Sequence, residues 1–343
     1  PFLGAGDALM SNYIPVLQHP LFFGGLLVFA AGCALLVLRA MTAIPPVGMW
    51  VAGAGALRFG LNAAAVSAAL ALIAFAWSFL LMPDFLSGKA YYELLFWGGG
   101  HVLQFTYTLL MLVAWLWLAS ASGVTPRVTP RVALLMFVLG LMAVFATPLI
   151  YYAHELTSVG HIKLFTWLMR YGGSLATLPL SLAVLIGLLA APRAAADERA
   201  LRAALLASML LFGIGGIIGF LFAGSNVTIP AHYHGSIVGV TLAFMGLTYY
   251  LLPRLGFGEP DRRWAHAQPW LYGGGQLLHV LGLVWSGGYG VQGKVAGAAQ
   301  GLDTVERIAA MGIMGLGGLI AIIGGVVFLV VVGRALLRRP ARA

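Results

Sequence analysis

Charge and cysteine are both scarce in this sequence. Only 8% of its 343 residues are charged and 61% are hydrophobic, whereas soluble domains carry about 25% charged residues. This composition excludes a soluble enzyme. The net charge of +9 comes from basic residues scattered singly between apolar runs, which excludes a nucleic-acid-binding protein. The single cysteine, Cys33, excludes a disulfide framework and any cysteine-based zinc or iron–sulfur site.

Long apolar runs fill the chain instead. A helix that crosses a bilayer needs about 20 apolar residues, and we predict nine such spans, at 20–40, 50–82, 92–120, 131–152, 164–191, 201–224, 230–252, 268–290 and 310–334. The chain is therefore predicted to be an all-α, polytopic membrane helix bundle, with residues 1–343 forming a single transmembrane domain. No basic segment with a short apolar core precedes the first span, so no signal peptide is predicted.

The basic residues of the loops indicate an orientation. If successive spans cross alternately, most loop arginines and the arginines of the C-terminal tail lie on one side. The loops on the other side hold Lys89, Lys163, Lys294 and Arg307. Because loops rich in arginine and lysine stay in the cytoplasm, we predict a protein of the cell inner membrane. Its N-terminus would lie outside and its C-terminus in the cytoplasm.

Histidines mark the candidate site, since ionisable side chains inside a membrane are functional by default. Most of the eight histidines fall in the outer half of the predicted bundle. His232 and His234 point about 200° apart on a helix, so they cannot chelate one ion together. They can ligate two planar cofactors on opposite sides of the helix, as haem iron commonly takes an axial histidine. The alternative is a histidine pair hydrogen-bonded to water. His279, in the middle of a span, is predicted to be a packing residue.

Two motifs resemble those of a known family. Thr228-Ile-Pro-Ala-His232-Tyr-His234, followed by Tyr249-Tyr250-Leu-Leu-Pro253-Arg254-Leu255, is similar to the tenth helix of subunit I of the haem-copper oxidase superfamily. It is closest to the C-type cytochrome c oxidases and nitric oxide reductases. Trp97-Gly-Gly-Gly-His101 resembles the sixth helix, whose histidine binds the active-site metal. The resemblance implies that the nine spans match helices four to twelve of a twelve-helix subunit, and that the first three helices are lacking.

The resemblance also implies a set of ligands. His232 would be the proximal ligand of the high-spin haem, and His234 one ligand of the low-spin haem, whose other ligand belongs to the missing second helix. His101 would bind copper, or a non-haem iron in its place. The adjacent histidine pair that completes the copper site in the oxidases is missing here. A loop starting near Glu155 would bring His154 and His161 to the metal; loss of the metal is the alternative.

Further candidate residues follow, the tyrosine from the resemblance and the others from their own sequence positions. Phe105 stands where many oxidases have the active-site tyrosine, so Tyr151 or Tyr152 is the predicted catalytic tyrosine. Arg170 and Lys294, together with Arg307, would pair with haem propionates; snorkelling to the membrane interface is the alternative. A stripe of hydroxyl groups on one face of the fifth span would carry protons or allow close helix packing. The stripe consists of Tyr171, Ser174, Thr177 and Ser181.

The function implied is that of the catalytic subunit of a respiratory terminal oxidase. Electrons would pass from a cytochrome c-type donor through the low-spin haem to a high-spin haem/copper centre that reduces oxygen to water with proton uptake. The implied partners are membrane lipid and other oxidase subunits, including a copper- or cytochrome c-bearing subunit for electron entry. The alternatives are a nitric oxide reductase, a degenerate family member that binds haem for electron relay or assembly, and a haem-free transporter.

Overall fold

Helices make up most of the structure, a computed structural model that describes residues 6–10, 13, 15–43, 53–221, 226–293 and 300–338. The helices are α1 (Pro20–Ala43), α2 (Gly53–Leu80), α3 (Gly88–Ala121), α4 (Pro130–Val144), α5 (Thr147–Ala153), α6 (Val159–Trp167), α7 (Ser174–Ala190), α8 (Arg199–Leu221), α9 (Thr228–Arg254), α10 (Arg262–Gly288) and α11 (Val305–Leu337). A π-helical segment, Leu168–Gly172, joins α6 to α7. The predicted all-α membrane bundle is confirmed.

Eight helical segments of the described chain are long and apolar enough to cross a membrane. Two of them are composite: α4 runs into α5, and α6 runs through the π-helical segment into α7. The predicted span 268–290 corresponds to α10, which is not among the eight. Its 27 residues are about 40 Å long at 1.5 Å per residue. Gln268, Gln276 and His279 interrupt its apolar sequence.

Helix starts follow the local sequence. The side chain of Thr129 accepts a hydrogen bond from the Val132 N–H at the start of α4, where Pro130 takes the first helical position. Asp261 accepts from the N–H groups of Arg263 and Trp264 at the start of α10. Such side-chain caps satisfy backbone donors that have no partner inside the helix. They explain why helices begin just after these short polar residues.

A short β-hairpin precedes α1 and was not predicted. Strands β1 (Asp7–Met10) and β2 (Pro15–Gln18) pair antiparallel, with Asp7 opposite Gln18 and Met10 opposite Pro15. Tyr13 lies in the turn between the two strands. We refer to residues 7–18 as the N-terminal hairpin.

The helices form two compact units. The first unit comprises Pro1–Val113 and Val128–Ala183, and the second comprises Ala114–Arg127 and Val184–Ala343. The core of the first unit gathers around Phe105, Tyr151 and Phe165. In the second unit α10 and α11 pack closely through glycines: a Cβ added to Gly317 would lie 2.3 Å from the His279 backbone nitrogen. That the whole chain is one transmembrane domain stays a prediction.

Candidate functional site

His101 lies in the buried part of α3 in the first unit, 6% exposed. Its Nδ1 is 2.7 Å from the carbonyl oxygen of Trp97. Because a carbonyl can only accept, this contact requires the proton on Nδ1 and leaves the lone pair on Nε2. A fixed Nδ1–H is the usual arrangement of a metal-binding histidine.

His161 lies in the first turn of α6 and is fully buried, at 0% exposure. Both of its ring nitrogens are without a hydrogen-bond partner among the described residues. Aromatic rings surround it instead, with centroids of Tyr151 at 5.0 Å and Phe165 at 4.9 Å. A buried polar group without a partner costs about 1–3 kcal/mol. A metal ion bound to either nitrogen would remove that cost, so the donor chemistry of His161 fits a metal.

The predicted loop near Glu155 is present. Helix α5 ends at Ala153, and His154 is extended, with φ −138° and ψ 131°. Ser158 then accepts a hydrogen bond from the His161 N–H and starts α6. The His154 ring lies over Gly160, where an added Cβ would approach its Nδ1 to 2.5 Å.

The three candidate metal histidines belong to one unit, but they do not form a complete site there. Phe165 contacts both His101 and His161, with ring centroids 6.4 Å and 4.9 Å away. No group of three or more His, Cys, Asp or Glu side chains in the described ranges is arranged to hold a metal ion. The assignment of His101, His154 and His161 as three ligands of one metal therefore stays a prediction.

The two candidate tyrosines lie in opposite environments. Tyr152 is 90% exposed, whereas Tyr151 is 5% exposed and stacks on Trp77 with centroids 4.8 Å apart. The Tyr151 hydroxyl donates to the Ala74 carbonyl at 3.0 Å and accepts from Ser78 Oγ at 2.7 Å. Of the two, only Tyr151 is buried beside His161, so only Tyr151 is placed to act at that histidine.

His232 lies in the first turns of α9 in the second unit, half-buried against α8. Its Nδ1 donates to the carbonyl of Gly215 at 2.7 Å. This fixes the ring and leaves the Nε2 lone pair as the coordinating atom. Gly219, one turn after Gly215, makes room for the ring, since a Cβ there would lie 2.5 Å from Nδ1. The histidine was predicted; the two glycines were missed, although their four-residue spacing places them on one helix face.

His234 faces a different helix from His232, as a two-residue separation on a helix requires. Its ring lies against His279 of α10, with centroids 4.4 Å apart. The Nδ1 of His279 donates to the Met314 carbonyl at 2.9 Å, so its lone pair is on Nε2. His279 is therefore hydrogen-bonded and packed inside the unit, as the sequence predicted, and it also touches one of the candidate haem ligands.

The candidate propionate partners have different surroundings. Arg170 is part of the π-helical segment and partly buried, and Lys294 lies outside the described residues. Arg307 contacts Asp303 at 2.6 Å and donates to the carbonyls of Tyr289 and Gly301. Arg307 therefore ties the start of α11 to the end of α10.

The hydroxyl stripe bonds to its own helix. Ser174 donates to the Arg170 carbonyl at 2.8 Å, and Thr177 to the Gly173 carbonyl at 2.7 Å. Ser181 repeats the pattern with the carbonyl of Thr177 at 2.5 Å. Each hydroxyl proton of these three residues points to a backbone carbonyl four residues earlier. These bonds stay within one helix, and a role of the stripe in carrying protons or in close helix packing stays a prediction.

A family model described as cytochrome c and quinol oxidase polypeptide I matches residues 1–327. An uncharacterised protein of Rickettsia prowazekii (strain Madrid E) is 26% identical over 97% of this chain and 72% of its own length. An uncharacterised protein of Aquifex aeolicus (strain VF5) is 29% identical over 75% of this chain, which spans 62% of that relative.

A solved structure has the same fold. The cryo-EM structure of a haem-copper terminal oxidase dimer superposes with a TM-score of 0.62 at 17% sequence identity. The match covers 84% of this chain and 57% of the solved one, so the chain spans little more than half of that protein.

Proposed function

Because the chain belongs to the cytochrome c and quinol oxidase polypeptide I family, we propose that it is the catalytic part of a respiratory terminal oxidase. The reaction proposed is the reduction of oxygen to water with electrons from a cytochrome c-type donor. The observation that carries this proposal is the fixed tautomer of His232, whose Nδ1–H donates to the Gly215 carbonyl at 2.7 Å. A half-buried histidine held in this way is prepared to coordinate a metal through Nε2.

The residues of the second unit fit haem. His232 would hold the high-spin haem, and His234 would provide one ligand to the low-spin haem from the other side of α9. Imidazole suits haem iron. When bound, the haems and a second metal would supply the electron transfer and the oxygen chemistry. The protein would supply axial ligands and dry surroundings.

The residues of the first unit fit a second metal, copper or a non-haem iron. His101 carries its ring proton on Nδ1, hydrogen-bonded to Trp97, and His161 offers two buried nitrogens without partners among the described residues. His154 would be the third ligand. Tyr151 would be the tyrosine that donates or holds a proton beside His161, since its hydroxyl is buried between α2 and α5.

Companion subunits belong to the same proposal. Electrons would enter through a subunit that carries copper or cytochrome c, and protons would be taken up from the cytoplasm. The chain would lie in the cell inner membrane among lipids, with the N-terminal hairpin outside and the end of α11 in the cytoplasm. Arg170 and Lys294 would bind haem propionates. Labelling of single cysteines placed at residues 127 and 155, both exposed, with a membrane-impermeant reagent would test the orientation, because only the second should react from outside.

Metal analysis of the purified protein is the decisive test. We expect two haem irons and one copper per polypeptide, with oxygen consumption driven by reduced cytochrome c. A third, non-haem iron without copper, accompanied by turnover of nitric oxide, would assign the chain to nitric oxide reduction instead. Haem iron with no second metal and no carbon monoxide binding would contradict a catalytic role and leave electron relay or assembly. The absence of haem would overturn the proposal altogether.

A further inference from the structure

We propose that Tyr13, in the turn of the N-terminal hairpin, is a positioning residue that orients His101 toward the second metal. The proposal rests on the proposed function for the existence of that metal. The contact itself rests only on the structure: Tyr13 Oη lies 2.7 Å from His101 Nδ1. Tyr13 lies outside the predicted spans and belongs to none of the motifs on which the proposed function depends.

The hydrogen bonding around His101 is shared among three residues. The Nδ1–H is 2.7 Å from both the Trp97 carbonyl oxygen and the Tyr13 oxygen. The Tyr13 hydroxyl in turn donates to the same carbonyl at 3.4 Å. Since the phenol oxygen is a second acceptor for the ring proton, Tyr13 stabilises the tautomer whose lone pair is on Nε2.

Aromatic packing holds Tyr13 in place. Its ring meets that of Trp97 edge-on, with centroids 6.3 Å apart at 85°, and that of His101 at 6.1 Å and 63°. Edge-to-face pairs of this kind are favourable by about 0.5–1.5 kcal/mol. Tyr13 therefore holds the N-terminal hairpin against α3.

The glycine triplet before His101 now has a physical explanation. A Cβ at Gly100 would lie 2.2 Å from Tyr13 Cε1, whereas one at Gly98 would lie 2.3 Å from the Tyr151 hydroxyl and one at Gly99 would lie 2.4 Å from Phe75. Each glycine thus admits one aromatic ring to the surface of α3. Gly100 is the one that lets Tyr13 reach His101.

Fluorine NMR tests the contact without reference to any metal. The chain has twelve tyrosines, which 3-fluorotyrosine would label in the full protein in detergent. Tyr13→Phe should remove one resonance and so assign it, and His101→Leu should shift that resonance. Tyr107 is the matched control, since it lies on α3 six residues after His101 and is 47% exposed. Its resonance should stay in place. A Tyr13 resonance that does not respond to His101→Leu would overturn the proposal.

Chelator titration tests the role. We expect the second metal to leave Tyr13→Phe at a chelator concentration about 10–100-fold lower than in the wild type, the usual effect of losing an outer-shell partner. Gly100→Ala should act in the same direction, and Tyr107→Phe should match the wild type. Equal retention in Tyr13→Phe would overturn the positioning role. If the wild type holds no second metal while the fluorine shift is present, the metal part of the proposed function fails and the positioning role fails with it, but the contact stands.

Discussion

The histidines of the two units have different kinds of hydrogen-bond partner. In the second unit, His232 and His279 both have Nδ1 fixed by a backbone carbonyl of a neighbouring helix. In the first unit, His101 is fixed by a carbonyl of its own helix and by a phenol from a hairpin, and His161 is fixed by no hydrogen bond among the described residues. Carbonyls of packed helices thus orient His232 and His279, whereas hydrogen bonds orient only His101 of the two histidines compared in the first unit.

This difference agrees with what the two kinds of cofactor need. A haem brings its own four equatorial nitrogens, so the protein has to orient a single imidazole per axial position. A copper or non-haem iron takes all its protein ligands from side chains, so several must converge. On the proposed function, the first unit would gain more from binding a metal than the second unit, because His161 has no hydrogen-bond partner among the described residues.

The largest effect is expected from removing His232, the proposed ligand of the high-spin haem. His232→Ala should eliminate one haem per polypeptide, and oxygen reduction with it, because no other side chain described near Gly215 and Gly219 can replace an axial imidazole. Pyridine haemochromogen analysis of the purified variant would measure the loss. His266→Ala is the control, since His266 is exposed on α10 and should leave the haem content unchanged. A His232→Ala protein with full haem content would contradict the assignment.

A smaller substitution should distinguish the effect of the orientation of the His232 ring from the effect of removing the ring. Gly219→Ala would place a Cβ 2.5 Å from His232 Nδ1, so the ring must leave the Gly215 carbonyl. We expect haem affinity to fall about 10–100-fold, as it does when an outer-shell partner is lost. Gly216→Ala is a matched control because a Cβ there meets nothing within 4 Å. Equal haem retention by the two variants would show that packing does not prepare this ligand.

Replacing His161 is expected to have the opposite effect, an increase in the stability of the metal-free protein. Replacing its buried, unpartnered ring with an apolar side chain in His161→Leu should stabilise the metal-free protein by about 1–3 kcal/mol. The same variant should lose the second metal. Thermal unfolding in detergent with a chelator present, together with metal analysis, measures both effects. A variant that is less stable without metal and retains the metal would identify His161 as an ordinary core residue.

The smallest effect concerns the two neighbouring tyrosines. Tyr151→Phe leaves the Ala74 carbonyl and Ser78 without their shared hydroxyl, so we expect a loss of about 1–2 kcal/mol. Tyr152→Phe removes a hydroxyl from a side chain that is 90% exposed and should change nothing. Denaturation of both variants measures the difference. If the two variants unfold alike, the buried hydroxyl has no structural role, and only a catalytic role would remain for Tyr151.

The helices were more predictable from the sequence than the contacts between them. Apolar runs and capping residues lie within one segment of chain, so the spans and the loop near Glu155 were predictable. The N-terminal hairpin was not, because its strands are only four residues each and are defined by pairing with each other. The fifth predicted span began at residue 164, but α6 begins at Val159, because the Ser158 cap was overlooked.

The features of the candidate site also fall into two kinds. Some were predictable from local spacing in the sequence, and others depend on the packing of helices. The His-Tyr-His spacing predicted opposite faces of α9 from helix geometry alone, and the structure has His232 against α8 and His234 against α10. The choice between Tyr151 and Tyr152 needed burial, which depends on the packing of α2 on α5. The role of the hydroxyl stripe stays open, because the sequence does not reveal which partner a serine or threonine inside a helix takes.

The π-helical segment Leu168–Gly172 has a geometrical consequence of its own. A π turn accommodates one residue more than an α turn, and one residue corresponds to about 100° of rotation around a helix axis. The segment therefore resets the angular phase between α6, which carries His161, and α7, which carries Ser174 and Thr177. A helical periodicity read straight through residues 159–190 therefore combines two helices whose faces are out of phase. Deleting one residue here would rotate α7 by about 100° around its axis relative to α6, and would move some of its inward-facing side chains to the outer surface.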